Sequence, residues 1–328
     1  MKLISHTDLK VTTRTCHAST MAFYKNKPVF AWFGGYKEGS IDCSIYVQFQ
    51  NRVWNVGYNT PYAMWNPILC PVDDKLFLFA KKGEFCDRWQ TYLYDISDID
   101  NPKFNIERDV EPIILPAGLN GPVKTKPVIY GNEIYCGSSV ETKWDWTSYV
   151  ESYNKDWKFI HRSKPLVVPK PKSQMIIAGI IQPALWIGSF NNLNAFFRSS
   201  HGLNKIYHAE CKGYSYNYNL SPDHFRSDWT EPVPTKLDNP NSGIDVVYHN
   251  KRLFLAYNPY VSYRFPLDIV ELDSGFNIID KLTVENCPAT DCYSPEFSYP
   301  YLVEHDDLLH LTYTNCRTGI KYCVINPK

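Results

Sequence analysis

Short apolar and aromatic runs, closed again and again by Pro, Gly, Asn or Asp, constrain this chain most. PVFAWF (28–33), SIYVQF (44–49), KLFLFAK (75–81), TYLYD (91–95), KPVIYG (126–131) and NEIYCGS (132–138) are followed by NAFFRSS (194–200), RLFLAYN (252–258), LLHLTYT (308–314) and IKYCVI (320–325). Runs of this kind with this punctuation read as β-strands. No stretch carries an amphipathic helical period with start and stop signals. The fold class is therefore all-β.

A weak repeat runs through these strands. A strand, a polar turn and an aromatic recur in SIYVQFQNRVW, which ends at Trp54, and in YLYDISDIDNPKF, which ends at Phe104. The pattern returns in YVESYNKDWKF with Trp157 and in IVELDSGFNII with Phe276. The first intervals are about 50 residues; the last is about twice that, with a more disguised unit around YSYNYNLSP (214–222) between them. A period near 50 with four strands per unit predicts a β-propeller of four-stranded antiparallel blades around a central channel. The chain of 328 residues then makes about six blades, with seven as the alternative. A pair of β-sandwiches would not produce this period. IKYCVI is expected to complete the blade begun at the N-terminus, which closes the ring. One domain spanning 1–328 is expected, and HRSKPLVVPKPKSQ (161–174) reads either as a blade connection or as a linker.

Charge excludes several functions. Lys and Arg number 34 against 34 Asp and Glu, with no long run of either sign. No electrostatic footprint for nucleic acid or an anionic membrane results. No apolar run is long enough for a transmembrane helix, and MKLISHTDLKVTTR lacks the apolar region of a signal peptide. As written the chain is expected in the cytoplasm, while an extracellular or virion-associated location reached by another route stays open. Ten Cys are present, yet Cys70, Cys136 and Cys323 fall in apolar strand-like runs, where Cys acts as a small buried hydrophobe. Free thiols are expected, with Cys287 and Cys292 as the nearest pair. Aromatics make up 15% of the residues, including 24 Tyr and 9 Trp. Tyr and Trp present an apolar face with a polar tip and suit sugar rings, although β-rich proteins use them in any case.

Several segments resemble the sialidase-like BNR-repeat family. They are CHAST with AWFGGYKEGSID (16–42), WNPIL (65–69), LNGPVKTKPV (119–128), IQP (181–183), FFRS (196–199), NPNSGID (239–245), LFLAYNP (253–259) and EFSYPYLVEHDDLLHLTYTNCRTGIKY (296–322). The resemblance runs in order over nearly the whole chain. It implies a propeller that acts on glycans bearing sialate or uronate. The family's Asp-box, Ser-x-Asp-x-Gly-x-Thr-Trp, is never complete here; YNKDWKF and LDSGFNI are its eroded forms. The Phe-Arg-Ile-Pro opening of true sialidases is missing, and their three arginines and Tyr–Glu nucleophile pair have no clear counterparts. Related propellers include polysaccharide lyases that use His and Tyr with Arg.

Candidate residues follow from this frame. Arg14, His17, Glu38 and Asp42 flank or occupy the connector GGYKEGSID. Glu38 and Asp42 can serve as acid and base, since a carboxylate pair can be driven apart in pKa; equally, Asp42 can cap an ordinary turn. Arg88, Arg198, Arg264 and Arg317 sit beside aromatic or strand residues. A guanidinium holds a carboxylate through two parallel hydrogen bonds, so arginines converging on one channel would recognise an acidic sugar. Asn241 and Asp245 of NPNSGID can bind sugar hydroxyls or simply build a turn. Glu296 and Tyr299 can form a nucleophile pair, or Tyr299 can act as a lyase acid, with Tyr313 competing for that role. On a regular strand Glu296 and Tyr299 would face opposite ways. No zinc-binding spacing, phosphate loop or serine-hydrolase motif is present. No cofactor is expected to be required, and a structural calcium would leave no mark in the sequence.

Two function classes remain. The first is an enzyme on acidic oligo- or polysaccharide, with β-elimination by His17, Tyr299 and the arginines slightly ahead of exo-hydrolysis. The second is a non-catalytic lectin-like or protein-interaction propeller. Oligomeric state is unreadable.

Overall fold

The computed structural model describes residues 1–57, 60–169, 178–189, 191–211, 229–286 and 295–328. The chain is a six-bladed β-propeller, each blade a four-stranded antiparallel sheet. It divides into two compact units, Met1–Asn120 with Cys287–Lys328, and Gly121–Asn286. Each unit holds three of the blades.

In the first unit, β1 (Lys2–Asp8) leads to a sheet of β2 (Thr15–Tyr24), β3 (Lys27–Gly35), β4 (Ser44–Phe49) and β5 (Arg52–Val56). The next sheet holds β6 (Met64–Val72), β7 (Lys75–Lys82), β8 (Gln90–Asp95) and β9 (Ile113–Ile114), with the single helical turn α1 (Ile106–Asp109) between the last two. The second unit contributes β10 (Val128–Tyr130), β11 (Glu133–Glu141), β12 (Trp146–Asn154) and β13 (Phe159–Arg162) as its first blade. Its second blade is β14 (Ile180–Ile187), β15 (Leu193–Ser199), β16 (Lys205–Cys211) and β17 (Val233–Asp238). Its third is β18 (Asp245–His249), β19 (Arg252–Tyr257), β20 (Leu267–Leu272) and β21 (Ile278–Glu285). The chain then returns to the first unit with β22 (Phe297–His305), β23 (Leu308–Asn315) and β24 (Gly319–Asn326). β24 pairs antiparallel with β1, so the N-terminal strand is the outermost strand of the last blade. This is the shared blade expected from IKYCVI.

The repeat seen in the sequence has a structural counterpart between the third and fourth strands of a blade. Asn154 Oδ1 accepts the backbone N–H groups of Asp156 at 3.0 Å and Lys158 at 2.9 Å. Asp273 Oδ1 accepts those of Gly275 and Asn277 at 2.9 and 2.8 Å. In each turn the intervening aromatic, Trp157 or Phe276, takes a left-handed φ of 61° or 59°. An Asx side chain that satisfies the turn's own amides is what survives of the eroded box. Asn101 binds the Lys103 amide at 3.0 Å ahead of Phe104 in the same manner. The unit ending at Trp54 differs: Phe49 pairs directly with Arg52, so only Gln50 and Asn51 make that turn. The segment 214–222 lies outside the described residues, as do Cys287, Cys292 and part of 161–174.

Four first strands share an irregularity that regular alternation hides. β2 inserts one extra residue against β3 between His17 and Thr20, and β6 does so against β7 between Trp65 and Ile68. β14 repeats it between Ile181 and Ala184, and β22 between Ser298 and Tyr301. The residue inside each bulge has positive φ: Ala18, Asn66, Gln182 and Tyr299 at 51°, 39°, 55° and 53°. Three of them precede a proline, which has no N–H to lose where the ladder is broken. A bulge re-aims side chains, and His17, Gln182 and Tyr299 are the ones re-aimed.

The bulge in β14 rests on close backbone packing. The Pro183 carbonyl accepts a hydrogen bond from Thr125 Oγ1 at 2.6 Å. A Cβ on Gly137 of β11 would stand 2.1 Å from that same oxygen. Gly137→Ala is therefore expected to destabilise the protein by about 1–3 kcal/mol through overpacking, read as a lowered thermal midpoint. An unchanged midpoint would show that the strands can separate at no cost.

The eight described cysteines are all free thiols. Cys70, Cys136 and Cys323 are buried, as expected, and burial pushes the Cys16 thiol up to about 12. Among the described residues no helix is long and apolar enough to cross a membrane.

Candidate functional site

The Met1–Asn120 and Cys287–Lys328 unit gathers His17, Tyr299, Glu296, Arg317 and Glu38. His17, only 3% exposed, has Nδ1 3.0 Å from Thr314 Oγ1. Its ring lies 4.2 Å from the Tyr299 ring and meets Phe33 edge-on at 5.8 Å. Aromatic contacts continue from Phe33 to Trp65 and from Trp65 to Trp89. Tyr299 is partly buried against this apolar wall.

Arg317 occupies the turn between β23 and β24, where Cys316 and Arg317 both have positive φ, 48° and 54°. Consecutive non-glycine residues in this region are uncommon and mark a turn held by its surroundings. The Arg317 carbonyl accepts the Cys16 N–H at 2.8 Å, and the Cys316 N–H donates to the Glu296 carbonyl at 2.7 Å. Arg317 Nε donates to Glu296 Oε2 at 2.8 Å, and Nη1 forms a short ion pair with Glu38. Ser298 Oγ donates to the other Glu296 oxygen at 2.5 Å. Burial works against the Arg317 charge, but Glu296, Glu38 and the Tyr299 phenol more than offset it and raise its pKa.

The connector after β3 does become a wall of this cluster. Gly39, at φ 81°, sits so close over the Trp65 indole that a Cβ would lie 3.0 Å from it. This brings Glu38 to Arg317. Asp42 instead builds the turn: its carboxylate accepts the Tyr36 N–H at 2.8 Å. Its pKa is lowered first by Ser40 and also by the Tyr36 amide. Arg14 is exposed and stacks over Tyr36 at 4.4 Å. Arg88 is exposed in a short 3-10 turn, Cys86–Arg88. Tyr313 is fully buried and hydrogen-bonded to His6 Nε2 at 2.9 Å. The alternation that would have separated Glu296 from Tyr299 does not hold, because Glu296 precedes β22 and the bulge follows at once.

The Gly121–Asn286 unit gathers a second set. Arg198, 6% exposed on β15, donates from Nε to Asn241 Oδ1 at 2.7 Å and from Nη1 to Gln182 Oε1 at 3.0 Å. Its guanidinium lies 5.8 Å from the Trp146 ring centre. Arg264 donates to the Asn241 carbonyl at 2.9 Å. Asp245, 1% exposed, takes Lys126 Nζ at 2.9 Å. Arg198, Asn241 and Arg264 are joined by hydrogen bonds, and Asp245 with Lys126 is tied to them through Lys124, which lies in the field of both Asp245 and Arg198, so the four predicted residues share one polar cluster. Lys124, Lys126, Gln182 and Glu141 belong to it and had not been singled out. The bulge places Gln182, and the alternation Lys-Thr-Lys ahead of Pro127 was the available signal for the lysines.

The sequence profile of the BNR repeat-like domain matches residues 29–311. The chain belongs to the BNR repeat-like family. A comparison with curated proteins gave no match. Among solved structures, a protein of unknown function from Dyadobacter fermentans is similar over 100% of this chain and 99% of its own, at 10% identity and a TM-score of 0.73. A Hadza microbial sialidase is similar over 96% of this chain and 66% of its own, at 11% identity and a TM-score of 0.66. Trypanosoma rangeli sialidase in complex with sialic acid is similar over all of this chain and 58% of its own, at 11% identity and a TM-score of 0.61. This BNR repeat-like chain thus spans little more than half of the Trypanosoma protein and shares its fold.

Proposed function

We propose that this protein is a carbohydrate-active enzyme that cleaves a glycan at an acidic sugar, with Tyr299 as the reacting residue. One observation carries the reading: the β22 bulge presents Tyr299 between the buried His17 ring and the Arg317–Glu296 ion pair. Glu296, Glu38 and Arg317 together carry one excess negative charge when all are ionised. That balance favours a transition state with positive charge on the sugar ring, as in glycoside hydrolysis. In a hydrolase the Tyr299 oxygen, giving up its proton, attacks the anomeric carbon as the glycosidic bond breaks and the aglycone leaves as a protonated alcohol; a water oxygen then displaces the Tyr299 oxygen, which regains a proton as the free sugar departs. Within the Gly121–Asn286 unit, the Arg198 guanidinium is pre-set by Gln182 and Asn241, an arrangement suited to holding a carboxylate. Similarity in fold to sialidases agrees with this reading.

A lyase reading is favoured by the contact of His17 with Tyr299, a base and an acid side by side. Products separate the two. Purified protein should be screened against sialosides and uronate-containing oligosaccharides. Reducing sugar without an ultraviolet signal is expected for the hydrolase. A rise in near-ultraviolet absorbance from an unsaturated uronate would transfer the assignment to the lyase. Silence in both assays, with binding retained on an acidic glycan array, would leave a lectin-like propeller.

A further inference from the structure

In the Gly121–Asn286 unit the second and third blades leave a cleft of about 400 Å³ between them, within the roughly 300–1,000 Å³ usual for small-molecule sites. One wall comes from β14, β15 and β16, which contribute Trp186, Asn194, His208 and Glu210. Asn194 pairs with Glu210 and Phe196 with His208, so Asn194, His208 and Glu210 share one face of that sheet. The other wall comes from Tyr248, Leu272 and the eroded turn that follows β20, whose left-handed Phe276 reaches into the cleft. The Phe276 ring lies 4.6 Å from His208 and meets Trp186 edge-on at 6.4 Å.

The hydrogen bonds fix where His208 carries its proton. The Asn192 carbonyl can only accept, so the Asn194 group 3.0 Å from it is the amide nitrogen. Asn194 Oδ1 then faces His208 Nε2 at 3.0 Å, and Nε2 bears the hydrogen that this oxygen accepts. Burial lowers the His208 pKa to about 4 against the pull of Glu210, so the ring is neutral at physiological pH. Its Nδ1 is therefore a bare lone pair, with no hydrogen-bond partner among the described residues. Glu210, which accepts Asn192 Nδ2 at 3.3 Å, adds carboxylate acceptors to the same wall. A ligand that meets this wall must bring hydroxyl or N–H hydrogens. A carboxylate or phosphate brings none, and Lys251 in the same lining disfavours an ammonium.

We propose that this cleft binds an uncharged sugar residue, its ring against Trp186, Tyr248 and Phe276 and its hydroxyls donating to His208 Nδ1 and Glu210. A sugar ring has an apolar C–H face and a polar edge, which matches aromatic side chains set beside an acceptor wall. The parts are held before a ligand arrives, which lowers the cost of binding. The Tyr248 hydroxyl is hydrogen-bonded to Ser189 of the neighbouring blade. The Gly188 N–H donates to the Asn192 carbonyl at 2.9 Å, and a Cβ on Gly188 would stand 3.1 Å from Asn194 Nδ2. The turn that orients Asn194, and through it His208, is thus closely packed. The cleft shares no residue with the Tyr299 and Arg198 clusters, so this assignment and the enzymatic one can fail separately.

Nitrogen NMR of the protein carrying isotope-labelled histidine tests this directly, because the ring nitrogens report tautomer and hydrogen bonding. Without ligand, the signals missing from His208→Phe should be those of a neutral ring protonated at Nε2. Methyl β-glucoside, methyl β-galactoside and methyl α-mannoside are the probes. At least one should move the His208 Nδ1 signal, with a dissociation constant of about 1–10 mM, and sodium glucuronate should not. Saturation-transfer NMR with the same glycoside should show binding weakened about 2–10-fold in His208→Phe, which keeps a ring and loses the acceptor. Ser274→Trp fills the cleft from an exposed turn position and leaves the buried wall intact. It should weaken binding about ten-fold or more while the thermal midpoint holds. A ring protonated at Nδ1, no shift with any of the three glycosides, an equal shift with glucuronate, or binding undiminished in Ser274→Trp would each overturn the proposal.

Discussion

Tyr299→Phe is expected to lower kcat/KM by about 10²–10⁴-fold with the fold unchanged. The substitution removes one oxygen and keeps the ring that packs against His17 at 4.2 Å. It also keeps the bulge, since Pro300 and the positive φ at 299 depend on backbone rather than on the phenol. What disappears is the only part of Tyr299 that can attack a sugar or pass a proton. Circular dichroism and the thermal midpoint should match the parent protein. Tyr313→Phe is the informative control. Tyr313 spends its hydroxyl on His6 inside a blade, so its loss should cost about 1 kcal/mol of stability and leave turnover intact. Equal activity in Tyr299→Phe and the parent, on a substrate that either reads as cleaved, would remove Tyr299 from the chemistry.

The fold was largely legible because turns repeat. Asn154 and Asp273 still satisfy their own turn amides, so the eroded box kept its spacing even where its consensus had gone. The closing strand was legible for the same reason: an isolated apolar run at the C-terminus needs a partner, and β1 is one. The site was less legible because it depends on breaks in alternation. A strand period of two places Glu296 and Tyr299 on opposite sides, but one inserted residue and one left-handed backbone bring both to Arg317. Charge was misleading in another way. Arg317 looks in sequence like a carboxylate clamp, yet the protein supplies it with two carboxylates of its own. Lys124 and Lys126 look like surface charge and are drawn inward by Asp245, more than a hundred residues along the chain.

That long-range inward draw has a structural parallel whose loss should be severe. Glu151→Ala is expected to destabilise the protein by about 3–5 kcal/mol. Glu151 lies on β12 with no exposed surface and is the acceptor for an entire shell of donors. Gly121 N–H reaches it at 2.7 Å, Ser138 Oγ at 2.9 Å and Tyr153 Oη at 2.5 Å. Arg162, opposite on β13, contributes Nε at 3.1 Å and Nη2 at 2.5 Å. Removing the carboxylate leaves a guanidinium and three further donors facing a cavity. A buried charge deprived of its counter-charge costs far more than the pair contributed when intact. Glu151→Gln keeps the volume and one acceptor oxygen, so its cost should be smaller, about 1–3 kcal/mol. Urea unfolding followed by tryptophan fluorescence measures both, read as shifts of the midpoint at constant slope. The order matters more than either number. If Gln proved as damaging as Ala, charge rather than packing would govern the blade. If Ala proved harmless, Arg162 would have to find water or another acceptor where Glu151 now stands.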